Sequence, residues 1–129
     1  HMGGITKKKE NMILRVQDKA GRGPWRPGFS NAWIDAWRTK QNPPIYAEIR
    51  NFRDLVANAH RHGKHIGCAA KGMDGLLSWF SPMEIVRLHG MGFYVADASG
   101  CEVLAETPTQ ILICSNAPLK NLPNAIVVA

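Results

Sequence analysis

The chain has 129 residues, with 16 Lys and Arg against 10 Asp and Glu, a formal net charge of +6. Hydrophobic residues at 45% and charged residues at 20% describe an ordinary globular domain and exclude a disordered chain beyond the first ten residues or so. No apolar run approaches the ~20 residues that cross a bilayer, so the expectation is no membrane and one cytoplasmic domain over residues 12–129. It follows a basic tail, residues 1–11, whose His1-Met2 reads as an expression scar.

In chain order, Met12 to Val16 reads as a short strand. From Gln17 to Pro44 the breakers Gly21, Gly23, Pro24, Pro27, Gly28 and Pro43-Pro44 predict irregular chain. Within it, Ser30 to Arg38 has the pattern of a short helix bearing Trp33, Ile34 and Trp37. A clearer helix follows, with Asn51 as its cap, an apolar stripe of Phe52, Leu55, Val56 and Ala59, and Gly63 as its stop. Lys64 to Ala69 predicts a strand. Met73 to Phe80 predicts a helix with Leu76, Leu77 and Phe80 inward.

Ser81-Pro82-Met83-Glu84 is a capping box with proline at the first helical position. The helix it starts turns Ile85 and Leu88 inward and stops near Gly90-Met91-Gly92. Phe93–Ala98 and Cys101–Ala105 read as strands joined in a hairpin at Ser99-Gly100. Thr107-Pro108 marks a turn, Gln110 to Cys114 another strand, and Ile126 to Val128 a last one. The order predicts a small single α+β domain with a mainly antiparallel sheet and two to four short helices.

Charge is unevenly spread. Residues 1–65 carry 13 Lys and Arg against 5 Asp and Glu, a net +8, whereas residues 66–129 carry 3 against 5, a net −2. A basic half attracts phosphates, nucleic acid or an acidic protein face; a solvated surface explains it equally well. Three cysteines, Cys68, Cys101 and Cys114, make no disulfide framework and fit a reducing compartment. Cys68 and Cys114 lie in apolar runs, as buried inert thiols do. His60, His62 and His65 cluster around Gly63, but the first two point about 200° apart on a helix, so no metal is expected. Serine-hydrolase, Walker and Rossmann signatures are absent.

The loop Gly21-Arg22-Gly23-Pro24-Trp25-Arg26-Pro27-Gly28 is the densest candidate site. Glycine admits close backbone approach, arginine forks onto phosphate and tryptophan stacks on a ring. Trp25 covering the core from a surface turn is the plainer reading of the same residues.

Three segments carry a resemblance: strand Ile13-Leu14-Arg15-Val16 with the Gly21–Gly28 loop after it; strand Ile66–Ala70 leading into Leu76–Phe80; and Thr109-Gln110-Ile111-Leu112-Ile113. Their order resembles small phage and bacterial proteins of the ADP-ribosyltransferase-like group. The resemblance implies that the domain binds NAD, with Arg15 against the dinucleotide and Gly21, Arg22, Gly23, Trp25 and Arg26 around it. It places Gln110 where active members carry Glu, and Ala69 and Ala70 where members often carry Ser or Thr. Glycosidic cleavage passes through a cationic centre that a carboxylate stabilises. An amide cannot do this, so Glu106 or Glu102 would have to substitute for Gln110. The alternative from the residues themselves is a non-enzymatic phage or mobile-element protein. It would occupy a host protein or nucleic acid through Trp25, Trp33, Trp37, Arg26 and Arg38, residue types enriched at binding hot spots.

Overall fold

A computed structural model of the protein describes residues 12–25, 29–35 and 44–125. Five strands, β1 (Ile13–Gln17), β2 (His65–Lys71), β3 (Tyr94–Asp97), β4 (Glu102–Glu106) and β5 (Ile111–Ser115), make one antiparallel sheet in the order β3-β1-β2-β5-β4. Four helices are described: α1 (Ile45–Glu48), α2 (Phe52–Arg61), α3 (Gly72–Leu77) and α4 (Pro82–Gly90). The fold is α+β, and none of these helices is long and apolar enough to cross a membrane.

The strands fall close to their predicted places, but the expected hairpin at Ser99-Gly100 does not form. β3 pairs with β1, β4 pairs with β5, and the two are the opposite edges of the sheet. The true hairpin is β4–β5, closed by Thr107 N–H to the Gln110 carbonyl at 2.8 Å. The short link between the two edges has a consequence for shape. Asp97 and Glu102 are five residues apart and span at most about 17 Å, whereas four strand spacings in a flat sheet need about 19 Å. The link is not extended either, since Cys101 N–H returns to the Ala98 carbonyl at 3.0 Å. The sheet must therefore curl, and a bulge between Val103 and Ala105 adds to the bend.

Alternation along each strand sends side chains to two faces. Leu14, Val16, Ala70 and Val95 pack against Leu76, Phe80, Leu88 and Trp33 under α3 and α4. Leu112 packs beside them against Ile45 and Ile49 of the α1 region. On the other face Ala69, Ala98, Ile111 and Ile113 close around Leu119. The chain beyond β5 covers this face, and it also screens the β3 edge: Asn124 bridges Ala96, and Ala125 N–H reaches the Val95 carbonyl at 2.8 Å. Covering an edge in this way removes a template for unwanted strand pairing. The predicted strand at 126–128 lies outside the described residues.

The capping box forms as written. Ser81 Oγ accepts from Glu84 N–H at 3.1 Å, and Glu84 Oε1 accepts from Ser81 N–H at 2.8 Å. Glu84 is fully buried because its second oxygen accepts Asp35 N–H at 2.8 Å, which ties residues 29–35 to α4. Arg87 reinforces the tie through Asp35 at 2.6 Å and the Trp33 carbonyl at 2.8 Å.

Several expectations need correction. Asn51 occupies the cap position of α2, but its side chain makes no capping bond. α3 ends at Leu77, whose side chain is exposed rather than inward. The segment expected as a helix from Ser30 begins only as a 3₁₀ turn, Ser30–Ala32, and residues 36–38, with Trp37 and Arg38, lie outside the described residues. Cys68 is exposed rather than buried, whereas Cys114 is buried as expected. α1 was not anticipated: four residues are too few to show a helical period.

Candidate functional site

The β1–β2 ladder stops after Leu14↔Ala70, and beyond it the strands part. The side chain of Arg15 spans the gap. Nη1 donates to the Cys68 carbonyl at 2.9 Å, Nη2 to the Gly21 carbonyl at 3.0 Å and Nε to Gln17 Oε1 at 2.9 Å. A guanidinium has five N–H groups, so two remain for another acceptor. Burial pulls the Arg15 guanidinium below its ordinary range, against the opposing pull of Cys68 and Asp18. It stays a cation at neutral pH.

The loop after β1 is built around this arginine. Asp18 Oδ1 accepts the N–H groups of Ala20 and Arg22, and Oδ2 accepts Arg22 Nε at 3.1 Å. Burial pushes the Asp18 carboxyl up, but those two N–H groups and the Arg22 charge bring it below its ordinary 3.8. Arg22 Nε is thus held by the turn, while the rest of its guanidinium stands largely exposed. Gly21 is required there, with φ +83° and a would-be Cβ only 2.8 Å from Lys120 N. Gly67, facing Arg15 across the gap, has a would-be Cβ 2.9 Å from Arg15 Cζ. Behind Arg15, the fully buried Gln17 donates to Tyr94 Oη and to the Leu119 carbonyl, both at 2.7 Å. Tyr94 in turn donates to the Leu122 carbonyl at 2.9 Å. This network fixes β1, β3 and the C-terminal segment to one another.

Further along the loop, Trp25 lies 4.7 Å from Trp33, 5.9 Å from Phe80 and 6.2 Å from Trp79, ring to ring. Trp33 is entirely buried, with Nε1 donating to the Pro24 carbonyl at 3.2 Å. It is therefore core and not a hot spot; Trp25 is 38% exposed at the cluster's edge. Arg26, Pro27 and Gly28 lie outside the described residues.

Trp79 connects this cluster to the third candidate segment through Nε1 to the Thr109 carbonyl at 2.7 Å. Next to it, Gln110 Nε2 donates to Glu48 Oε1 at 2.6 Å, and the same oxygen accepts Thr109 Oγ1 at 2.7 Å and Thr107 Oγ1 at 3.0 Å. The bonds from Thr109 and Gln110 hold the Glu48 carboxyl below its ordinary 4.5. The carboxylate beside Gln110 thus comes from α1. Glu102 pairs instead with Lys64 at 2.8 Å, and Glu106 stands exposed at the end of β4 opposite Ile111. Sequence reasoning missed Glu48 because its helix is one turn long and lies about sixty positions from its partners.

Arg15 and Gln110 open onto different surroundings. Arg15 sits in the strand gap, and Gln110 reaches the α1 side. The described loop starts at Arg15, with Gly21 and Gly23 against it, and runs to Trp25 against Trp79, whose indole bonds the Thr109 carbonyl beside Gln110.

Two cavities open at the other end of the sheet, and neither is lined by Arg15, Glu106 or Gln110. The larger, about 660 Å³, is bordered by Gly21, His60, Lys64, His65 and Lys120. The smaller, about 460 Å³, is bordered by Lys19, His89, Tyr94 and Asn124. Among the described residues no three His, Cys, Asp or Glu side chains group as metal ligands. No family model, curated protein or solved structure matches the chain.

Proposed function

We propose that the chain is an ADP-ribosyltransferase-like domain that binds NAD where the Gly21–Trp25 loop crosses Arg15. The observation that carries this reading is topological. The three segments behind the resemblance are far apart in sequence, yet β1, β2 and β5 are consecutive neighbours in the sheet. Arg15 retains two N–H groups for a phosphate oxygen. Gly23 and Gly21 bring backbone close to it, and Trp25 offers a partly exposed ring. Glu48, and not Glu106, is the carboxylate bonded to Gln110, and it lies on the α1 side rather than in the strand gap that holds Arg15.

The test is thermal unfolding of the full chain with increasing NAD. Stabilisation should grow with ligand concentration, and Arg15→Lys, which keeps the charge but loses the fork, should weaken it. An unchanged melting temperature at millimolar NAD contradicts the reading.

A further inference from the structure

The exposed face of α2 carries charge that nothing in the described chain balances. Arg53, Ala57 and Arg61 are all exposed, and their spacing stacks them in one stripe about 12 Å long. Arg50, also exposed, precedes the helix at the Arg53 end. None of the three arginines has an ion-pair partner among the described residues, although Arg22, Lys64 and Arg87 each find one.

A surface helix ordinarily offsets such cations with acids four positions away. Here the position four from both Arg53 and Arg61 is Ala57, and Asp54 is the only acid in the helix. The helix dipole favours cations at the C-terminal end, which accounts for His60 and Arg61. It opposes Arg53, which lies in the first turn, where Asn51 makes no capping bond. The free chain thus keeps an arginine where its own electrostatics disfavour one.

Two features select what could balance it. Ala57 leaves the middle of the stripe without bulk, so a second helix can approach to the ordinary packing distance of about 8–10 Å. Carboxylates border the stripe at both ends. Asp54 stands exposed beside Arg53, and beyond Arg61 the Lys64 ion pair presents Glu102, whose side chain is 56% exposed. A nucleic-acid duplex carries a charge about every 1.7 Å along its axis and would be repelled by both. A protein segment with discrete carboxylates would not.

We infer that this face of α2 docks an acidic helix of a partner protein, whose carboxylates meet Arg53 and Arg61 across Ala57. The inference does not depend on NAD binding, since none of these residues belongs to the Arg15 site.

The test uses a fluorescein-labelled, alanine-based peptide of about 16 residues, long enough to form helix, with Glu at every fourth position. Anisotropy is read with the full chain at ~50 mM salt, where surface charge is least screened. The peptide should bind, and its Gln counterpart should not. Arg53→Ala and Arg61→Ala should each weaken binding about 2–5-fold, and Arg53→Glu combined with Arg61→Glu should abolish it. Lys71→Ala, outside the stripe, should leave it unchanged. Without ligand, Arg53→Glu should raise the melting temperature by about 1–4 °C, because it puts an acid at the helix N-terminus. Absence of binding, an equal loss in Lys71→Ala, or a lower melting temperature in Arg53→Glu each overturns the proposal. So does tighter binding of a DNA duplex of about 16 base pairs through the same arginines, a length about that of the peptide.

Discussion

The two faces of the sheet are held by different physics. Under α3 and α4 the face is apolar, and Trp33, Leu76 and Leu88 are buried there almost without exposed area. Under the C-terminal segment the apolar cluster around Leu119 is joined by directed bonds from Arg15, Gln17 and Tyr94. Apolar burial is non-directional and tolerates repacking, whereas a buried polar network is costly when any partner is lost. The candidate dinucleotide contacts sit on the polar network and the loop that it anchors.

That contrast can be broken by substitution. Trp33→Ala should cost the most, about 3–5 kcal/mol, because it opens a cavity and frees the Pro24 carbonyl; urea denaturation measures it. Gly67→Ala should cost about 1–3 kcal/mol by overpacking, since its Cβ would meet Leu119 and Arg15 closer than 3.0 Å. Unlike the first change, it should also push Arg15 off the Cys68 carbonyl and weaken the response to NAD. Ser81→Ala should remove the α4 cap at about 1 kcal/mol, with no effect on ligand binding.

The smallest effect concerns pH. Glu48 titrates below its ordinary 4.5 in the folded protein. Its contribution to stability is therefore complete above that value and fades as pH falls through the lowered one. Glu48→Gln should flatten the acid limb of the stability curve in that window. An identical limb in the variant would mean that Thr107, Thr109 and Gln110 do not hold the carboxylate.

The elements with strong local signals were readable in the sequence. Ser81 and Glu84 specify a cap through adjacent atoms, and Gly63 specifies a helix stop through its own backbone conformation. The strand partners were not readable in this way. Ser99-Gly100 has the composition of a hairpin turn, yet the chain on either side pairs with β1 and with β5, partners that lie far away in sequence or beyond the next turn. Arg15 and Gln110 were identified from the resemblance, while Glu48 and the cavity residues Lys19 and Lys120 emerge only once distant segments meet. The charge asymmetry indicated a basic surface but not its position, and much of it falls on residues outside those described.

The most direct test of the NAD reading is two-dimensional NMR of the labelled chain, following backbone amides and the tryptophan indoles during NAD addition. The account predicts shifts at Gly21, Gly23 and the Trp25 indole, with Lys71 and Met83 unmoved. A spectrum unchanged at millimolar NAD, or shifts confined to residues away from this loop, would contradict it.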